Sequence, residues 1–175
     1  MRLFIAIELP GEVRDYLFSI KNNFQNSAKV NWTAKKNLHL TLKFLGEVKE
    51  DLVPEIISLL KTVEFRKFEL ELNELGVFPN RNYFKILWVG INNFNKVIEL
   101  QQEIEEKLSK YFSKDKEFSC HITIGRIKSL KDRKLFLESL NTPVNKIKFI
   151  VNCFYLYKSD LTKDGPKYKK IDTFL

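Results

Sequence analysis

One four-residue pattern, histidine–aliphatic–threonine–aliphatic, is written twice in this chain and uses every histidine present: His39-Leu40-Thr41-Leu42 and His121-Ile122-Thr123-Ile124. Each copy follows an apolar stretch at the same distance. His39 lies 34 residues after Ile5, and His121 lies 34 residues after Leu87. Self-similarity at a fixed offset points to a duplicated unit. Two copies are too few for a solenoid, so a bilobal domain with an approximate two-fold axis is expected, with repeat halves 1–80 and 81–175. No Gly/Ser linker or low-complexity tract separates them, so residues 1–175 are read as a single bilobal domain.

The remaining patterning fills in each half. Leu3-Phe4-Ile5-Ala6-Ile7 reads as a strand, and Pro10-Gly11 as a turn. Val13, Tyr16, Leu17, Ile20 and Phe24 then recur at helical spacing. Leu38 to Leu45 is a strand ending at Gly46. Asp51 is placed to cap a helix with Pro54 in its first turn and Ile56, Ile57 and Leu60 on one face. Phe68-Glu69-Leu70-Glu71-Leu72 alternates as a half-exposed strand does. In the second half, Ile86 to Val89 is a strand. Asn92 or Asn93 is placed to cap a long helix carrying Phe94, Val97, Ile98, Gln101, Ile104, Leu108 and Phe112. Phe118 to Ile127 is a strand containing Gly125, Lys131 to Leu140 a helix stopped by Asn141-Thr142-Pro143, Ile147 to Tyr157 one long strand, and Lys167 to Phe174 a short last one. The order is β-α-β-α-β, twice. The expected fold is α+β and bilobal, with antiparallel sheets facing a central groove and helices outside.

Composition closes off several classes. At 175 residues and 44% apolar, with 15 Phe, the chain can bury a core and is not disordered. The two cysteines, Cys120 and Cys153, form neither a disulfide framework nor a CxxC pair. No apolar run reaches transmembrane length and no secretory leader is visible, so a soluble cytoplasmic protein without a membrane partner is expected, and a monomer. The net charge of +8 suits a polyanionic partner. It equally suits a chain whose 24 lysines and 14 asparagines mirror genome composition and solvate the surface.

The repeated motif carries the chemistry. Residues i and i+2 share a strand face, so each His and its Thr point one way and the aliphatics the other. Two such strands related by a two-fold place two imidazoles and two hydroxyls across one cleft. Two histidines can serve one displacement as general base and general acid, because imidazole titrates near neutrality. Phosphodiester cleavage needs both roles, and threonine hydroxyls can donate to nonbridging phosphate oxygens as charge develops. The scheme calls for no metal, and two histidines without nearby carboxylates or cysteines do not make a zinc site. A lone His-x-Thr is usually only the polar face of a strand. Two copies at equivalent places, consuming every histidine, are not explained that way.

Arg126 stands five residues after His121, an offset that puts it on the opposite face of an ideal strand. Gly125 before it can mark a bulge that re-aims it toward a phosphate; otherwise Arg126 is a surface arginine paired with an acid. Cys120 precedes His121 and faces away, as a core thiol. Lys158, Lys163, Lys167, Lys169 and Lys170 surround Tyr168, a combination that suits an RNA end. It suits equally a solvated turn at Asp164-Gly165-Pro166 followed by an edge strand.

Three segments together resemble one family. Met1-Arg2-Leu3-Phe4-Ile5-Ala6-Ile7-Glu8-Leu9-Pro10, then Asn37-Leu38-His39-Leu40-Thr41-Leu42-Lys43-Phe44-Leu45-Gly46, then His121-Ile122-Thr123-Ile124-Gly125-Arg126 look like the RNA 2′,3′-cyclic phosphodiesterases, also called 2′-5′ RNA ligases, of the 2H phosphoesterase superfamily. The resemblance spans nearly the whole chain. Cys120 departs from it, since Pro often precedes the second His there. The resemblance implies a bilobal fold and metal-independent opening of a 2′,3′-cyclic phosphate on RNA or oligonucleotide ends, possible tRNA fragments among them, to a 2′-phosphate, with no cofactor. It implies His39 as proton donor to the departing 3′-oxygen, His121 as proton acceptor from water, and Thr41, Thr123, Arg126 and Tyr168 as substrate-binding positions. A 2′-5′ RNA ligase in tRNA processing and a non-catalytic RNA-end binder are the rival expectations.

Overall fold

A computed structural model of the chain describes residues 1–163 and 165–175. Among the described residues nine strands form two antiparallel sheets, and four α-helices cover them. The first half contributes β1 (Arg2–Glu8), α1 (Gly11–Ser19), β2 (Ala28–Trp32), β3 (His39–Glu47), α2 (Val53–Leu60) and β4 (Phe68–Asn80). The second contributes β5 (Tyr83–Asn92), α3 (Asn95–Leu108), β6 (His121–Leu130), α4 (Arg133–Leu140), β7 (Lys148–Val151), β8 (Phe154–Thr162) and β9 (Gly165–Phe174). One sheet runs β3-β1-β8-β9 and the other β2-β6-β5-β4-β7. No helix of the described residues is long and apolar enough to cross a membrane.

The two halves exchange strands. The boundary near residue 80 falls in the turn of the β4–β5 hairpin, where Asn80 pairs with Tyr83, so β4 leaves its own half to pair beside β5. In return β8 of the second half pairs with β1. The apolar stretch from Ile147 to Tyr157, expected as one strand, is therefore two. The chain breaks at Asn152 and Cys153, with β7 pairing β4 in one sheet and β8 pairing β1 in the other. Buried apolar residues from both halves, among them Ile5, Leu42, Leu87, Ile124, Phe136 and Phe154, belong to one contiguous cluster.

The duplication extends to the hydrogen-bond register. Thr41 pairs with Ala6 and Lys43 with Ile5, leaving Leu42 as an extra residue. Thr123 pairs with Trp88 and Gly125 with Leu87, leaving Ile124 extra. Each histidine strand thus carries a bulge at the same place. A bulge puts two consecutive side chains on one side and reverses the parity of the residues beyond it. Leu42 and Lys43 are both buried, as are Ile124 and Gly125, and the next residues, Phe44 and Arg126, emerge exposed.

Local differences from the sequence expectation concern caps and edges. Asp51 lies in a 3-10 turn (Glu50–Leu52) ahead of α2 and caps nothing. Neither Asn92 nor Asn93 caps α3: the residue preceding that helix is Phe94, and Asn93 takes a positive φ of 59° in the turn before it. Asp132 does cap α4, its carboxylate accepting from the Leu135 amide at 2.9 Å. Strand β2 was not expected. Its Ala28-Lys29-Val30-Asn31-Trp32 alternation is short, and it gains order as the edge strand beside β6. Of the expected turn Asp164-Gly165-Pro166, Asp164 lies outside the described residues; β9, which comes directly after it, is an edge strand.

Candidate active site

The alternation in β3 and β6 falls as the motif requires. Leu40, Leu42, Ile122 and Ile124 are buried beneath the helices, while His39, Thr41, His121 and Thr123 are half-buried on the other face. β3 and β6 come from different sheets and touch each other, so the two polar faces meet along a groove. His39 and His121 are close enough that the charge of one is felt by the other.

Both imidazoles are held in the same way. His39 Nδ1–H donates to the Asn37 carbonyl at 2.7 Å, and His121 Nδ1–H donates to the Ser119 carbonyl, also at 2.7 Å. A carbonyl only accepts, so each Nδ1 carries the proton and each Nε2 is left to the groove. Burial lowers the pKa of His39 from its ordinary value; the bond to Asn37 opposes this and the charge of His121 adds to it. Burial also lowers the pKa of His121, against the bond to Ser119. Both rings are therefore neutral at pH 7 in the free protein.

The surroundings break the symmetry. Around His39 the walls are aromatic: Phe4 lies 5.0 Å away, Tyr168 meets it edge-on at 5.4 Å, and Phe4 stacks on Tyr157 at 5.2 Å. Beside His39 opens a cavity of about 340 Å³ whose walls include Phe4, Tyr157 and Tyr168, with Lys36, Lys167 and Lys170 at its margin. Among the described residues its one carboxylate is Glu8, which is paired with Arg14 at 3.3 Å and Lys170 at 2.6 Å, so the described lining is cationic. Different aromatic side chains stand by His121. Phe78 packs edge-on against His121 at 4.9 Å, and Trp88 lies 6.3 Å from it. Trp88 in turn sits over Gly76, where an added Cβ would come within 2.1 Å of the indole.

Arg126 is exposed just beyond the β6 bulge, on the groove side. Burial raises the pKa of the Tyr168 phenol, and the charges of Arg126 and Arg2 oppose the rise. Among the described residues Arg126 joins no ion pair. The structure thus brings His39, His121, Thr41, Thr123, Arg126 and Tyr168 to one groove. Among the described residues no group of three or more His, Cys, Asp and Glu gathers as a metal-ligand set.

Cys120 is not part of this group. Burial pushes its thiol up to about 12, leaving almost no thiolate at neutral pH. Activity should therefore survive excess iodoacetamide at pH 8; rapid inactivation that Cys120→Ala abolishes would contradict this placement.

The sequence reading missed Phe4, Asn37 and Phe44 as site residues. Asn37 is nearly buried, and its side-chain amide donates to the Pro166 carbonyl at 2.7 Å while its own carbonyl holds His39. Phe44 is 66% exposed beside Phe4 and occupies in β3 the place that Arg126 takes in β6. The constant offset between the halves was the signal available for Phe44, since it adds to Arg126.

The LigT-like phosphoesterase family matches this chain twice, over residues 7–88 and again over 89–168. The chain belongs to that family. It is 36% identical to the RNA 2′,3′-cyclic phosphodiesterase of Methanocaldococcus jannaschii, covering 98% of each chain, and 31% identical to the protein of that name from Archaeoglobus fulgidus, covering 99% of each. Among solved structures it is similar to TT0787 of Thermus thermophilus, with a TM-score of 0.84 and 27% identity over 99% of this chain and 97% of that one. It is also similar to E. coli LigT complexed with 3′-AMP, with a TM-score of 0.80 and 25% identity over 98% and 95%. The two family matches begin 82 residues apart, the same separation as His39 and His121.

Proposed function

We propose that this phosphoesterase opens 2′,3′-cyclic phosphate ends of RNA or oligonucleotides to 2′-phosphates, with His39 as general acid, His121 as general base and no metal ion. The observation that carries this reading is the pair of imidazoles facing one groove, each with Nδ1–H tied to a carbonyl and Nε2 free. Water loses a proton to His121 Nε2 as its oxygen attacks phosphorus. The bond from phosphorus to O3′ breaks, and O3′ takes the proton from His39 Nε2. Thr41, Thr123 and Arg126 donate to the nonbridging oxygens, where charge accumulates.

The division of roles has a geometric support. Attack is in line, so water enters opposite the leaving oxygen. The leaving O3′ belongs to the ribose, so the nucleoside and the general acid share a side. Space for a nucleoside, with aromatic walls and lysines for phosphate, opens beside His39, whereas Phe78 and Trp88 stand around His121. The acid is then His39, and its protonation is favoured once the phosphate anion is bound.

The test is to incubate the protein with an RNA ending in a 2′,3′-cyclic phosphate in excess EDTA and to identify the product. Full turnover to a 2′-phosphate is expected. A 3′-phosphate product would overturn the assignment of the leaving oxygen. Activity lost in EDTA and restored by a divalent ion would overturn the metal-free scheme, and binding without turnover would leave only an RNA-end binder.

A further inference from the structure

Lys43 lies two residues beyond Thr41 and is only 2% exposed. Without the bulge at Leu42 it would point into the groove; with it, Lys43 pairs with Ile5 and turns under the helices. A buried ammonium needs partners for three donors. It finds Glu105 Oε1 of α3 at 2.5 Å, the Ser113 carbonyl at 2.9 Å and Asp115 Oδ1 at 3.3 Å. Glu105 also accepts from the Asp115 amide, at 3.0 and 3.2 Å to its two oxygens. Lysine and glutamate together grip residues 113–115, in the irregular stretch between α3 and β6. That stretch leads to Ser119, whose carbonyl holds the Nδ1–H of His121.

The equivalent place in β6 is Gly125, which has no side chain and no room for one: a Cβ there would meet Val30 Cγ1 at 2.5 Å. His39 is steadied instead through Asn37, clamped to Pro166 of the other half. Each histidine thus has its acceptor on a segment that bonds to the opposite half, and the segment that serves His121 is the one bonded to a buried ammonium.

We propose that Lys43 is a positioning residue that sets the aim of His121 by anchoring, with Glu105, the 113–119 segment that supplies its Nδ1 acceptor. A buried ion pair is often replaceable by apolar side chains without loss of stability, which separates packing from aim. The inference rests on His121 as general base for its kinetic readout, while a spectroscopic readout stands without any substrate.

The test compares Lys43→Met, the double variant Lys43→Met/Glu105→Leu, and Asp115→Ala. In Lys43→Met, kcat on a cyclic-phosphate RNA end should fall by about tenfold, the scale of a modest misplacement of a reacting group. KM should hold and the acidic limb of the pH profile should move. In proton–nitrogen NMR of the free protein, the His121 Nδ1–H signal should exchange faster than in wild type while that of His39 is unchanged. The double variant should recover thermal stability without recovering kcat or the His121 signal. Recovery of kcat together with stability would overturn the proposal, as would a wild-type His121 signal in Lys43→Met. If Lys43→Met does not fold, Asp115→Ala decides: it removes one side-chain acceptor at a partly exposed site and should show the same selective His121 change, and an unchanged signal there overturns the proposal. An altered His121 signal in a protein that turns over no cyclic phosphate would instead count against the proposed function alone.

Discussion

Replacing His121 or His39 by alanine lowers kcat for opening a cyclic phosphate end by about 10²–10⁴-fold in each single variant, the range that a positioned acid or base supplies. The fold survives, because both rings lie half-buried at the groove and outside the contiguous apolar cluster. The two losses are not additive. Once either proton transfer is gone the other has little left to assist, so the double variant should be barely worse than the singles. Single-turnover kinetics with purified variants, with circular dichroism as the fold control, measure this. Wild-type kcat in either single variant sinks the pair.

The pH dependence comes from the neutral rings of the free protein. In the proposed scheme His121 is ready as a base at pH 7, and His39 must gain a proton to act as an acid. Because burial, helped by His121 and opposed by Asn37, holds its pKa below the ordinary 6.5, kcat/KM should peak on the acid side of neutrality. Bound phosphate favours imidazolium, so the basic limb of kcat should lie at higher pH than that of kcat/KM. The same shifts affect stability. Both histidines have lowered folded-state values, so as pH falls through 6.5 the unfolded chain takes up protons that the folded chain does not. Stability is therefore full above that point and declines below it. His39→Ala and His121→Ala should each flatten the decline in urea titrations from pH 7.5 to 5.5, a window chosen about one unit either side of the ordinary value.

Much of this site could be read in the sequence because its chemistry sits on regular strands with simple alternation. His39, Thr41, His121 and Thr123 needed only period-two geometry and a repeat. Arg126 needed a bulge, and Gly125 announced it, since a glycine inside a strand is a visible signal. The matching bulge at Leu42 gave no such signal, because leucine and lysine both fit an ordinary strand; the burial of Lys43 and the exposure of Phe44 went out of view with it. The exchange of β4 and β8 between sheets was hidden for a different reason. Sheet membership is set by which edges meet after the β4–β5 hairpin closes, and hydrophobic patterning carries no record of pairing partners. Apart from Lys148 the Ile147 to Tyr157 stretch is apolar along both of its strands, so the polar break at Asn152 was the trace of two destinations.

Replacing Arg126 by alanine should lower kcat by about 10²–10³-fold, the cost of removing one preorganised donor to developing charge. The bulge at Ile124 brings Arg126 to the groove face, and no acid among the described residues competes for it. Its planar fork can meet two phosphate oxygens through two parallel bonds, a fixed geometry that a lysine ammonium does not offer. Arg126→Lys should therefore restore binding of the 2′-phosphate product better than it restores kcat. Gly125→Ala should copy part of the loss, because its Cβ would strike Val30 Cγ1 at 2.5 Å and Trp32 at 3.2 Å, displacing the bulge that aims Arg126. An independent reading comes from Tyr168. Burial holds its phenol above the ordinary value and Arg126 draws it back, so Arg126→Ala should move the Tyr168 titration further up, seen in ultraviolet difference spectra against a Tyr168→Phe control. If Arg126→Ala keeps wild-type kcat while the tyrosine titration moves, Arg126 faces the groove without serving the phosphate, and charge stabilisation falls to Thr41 and Thr123 alone.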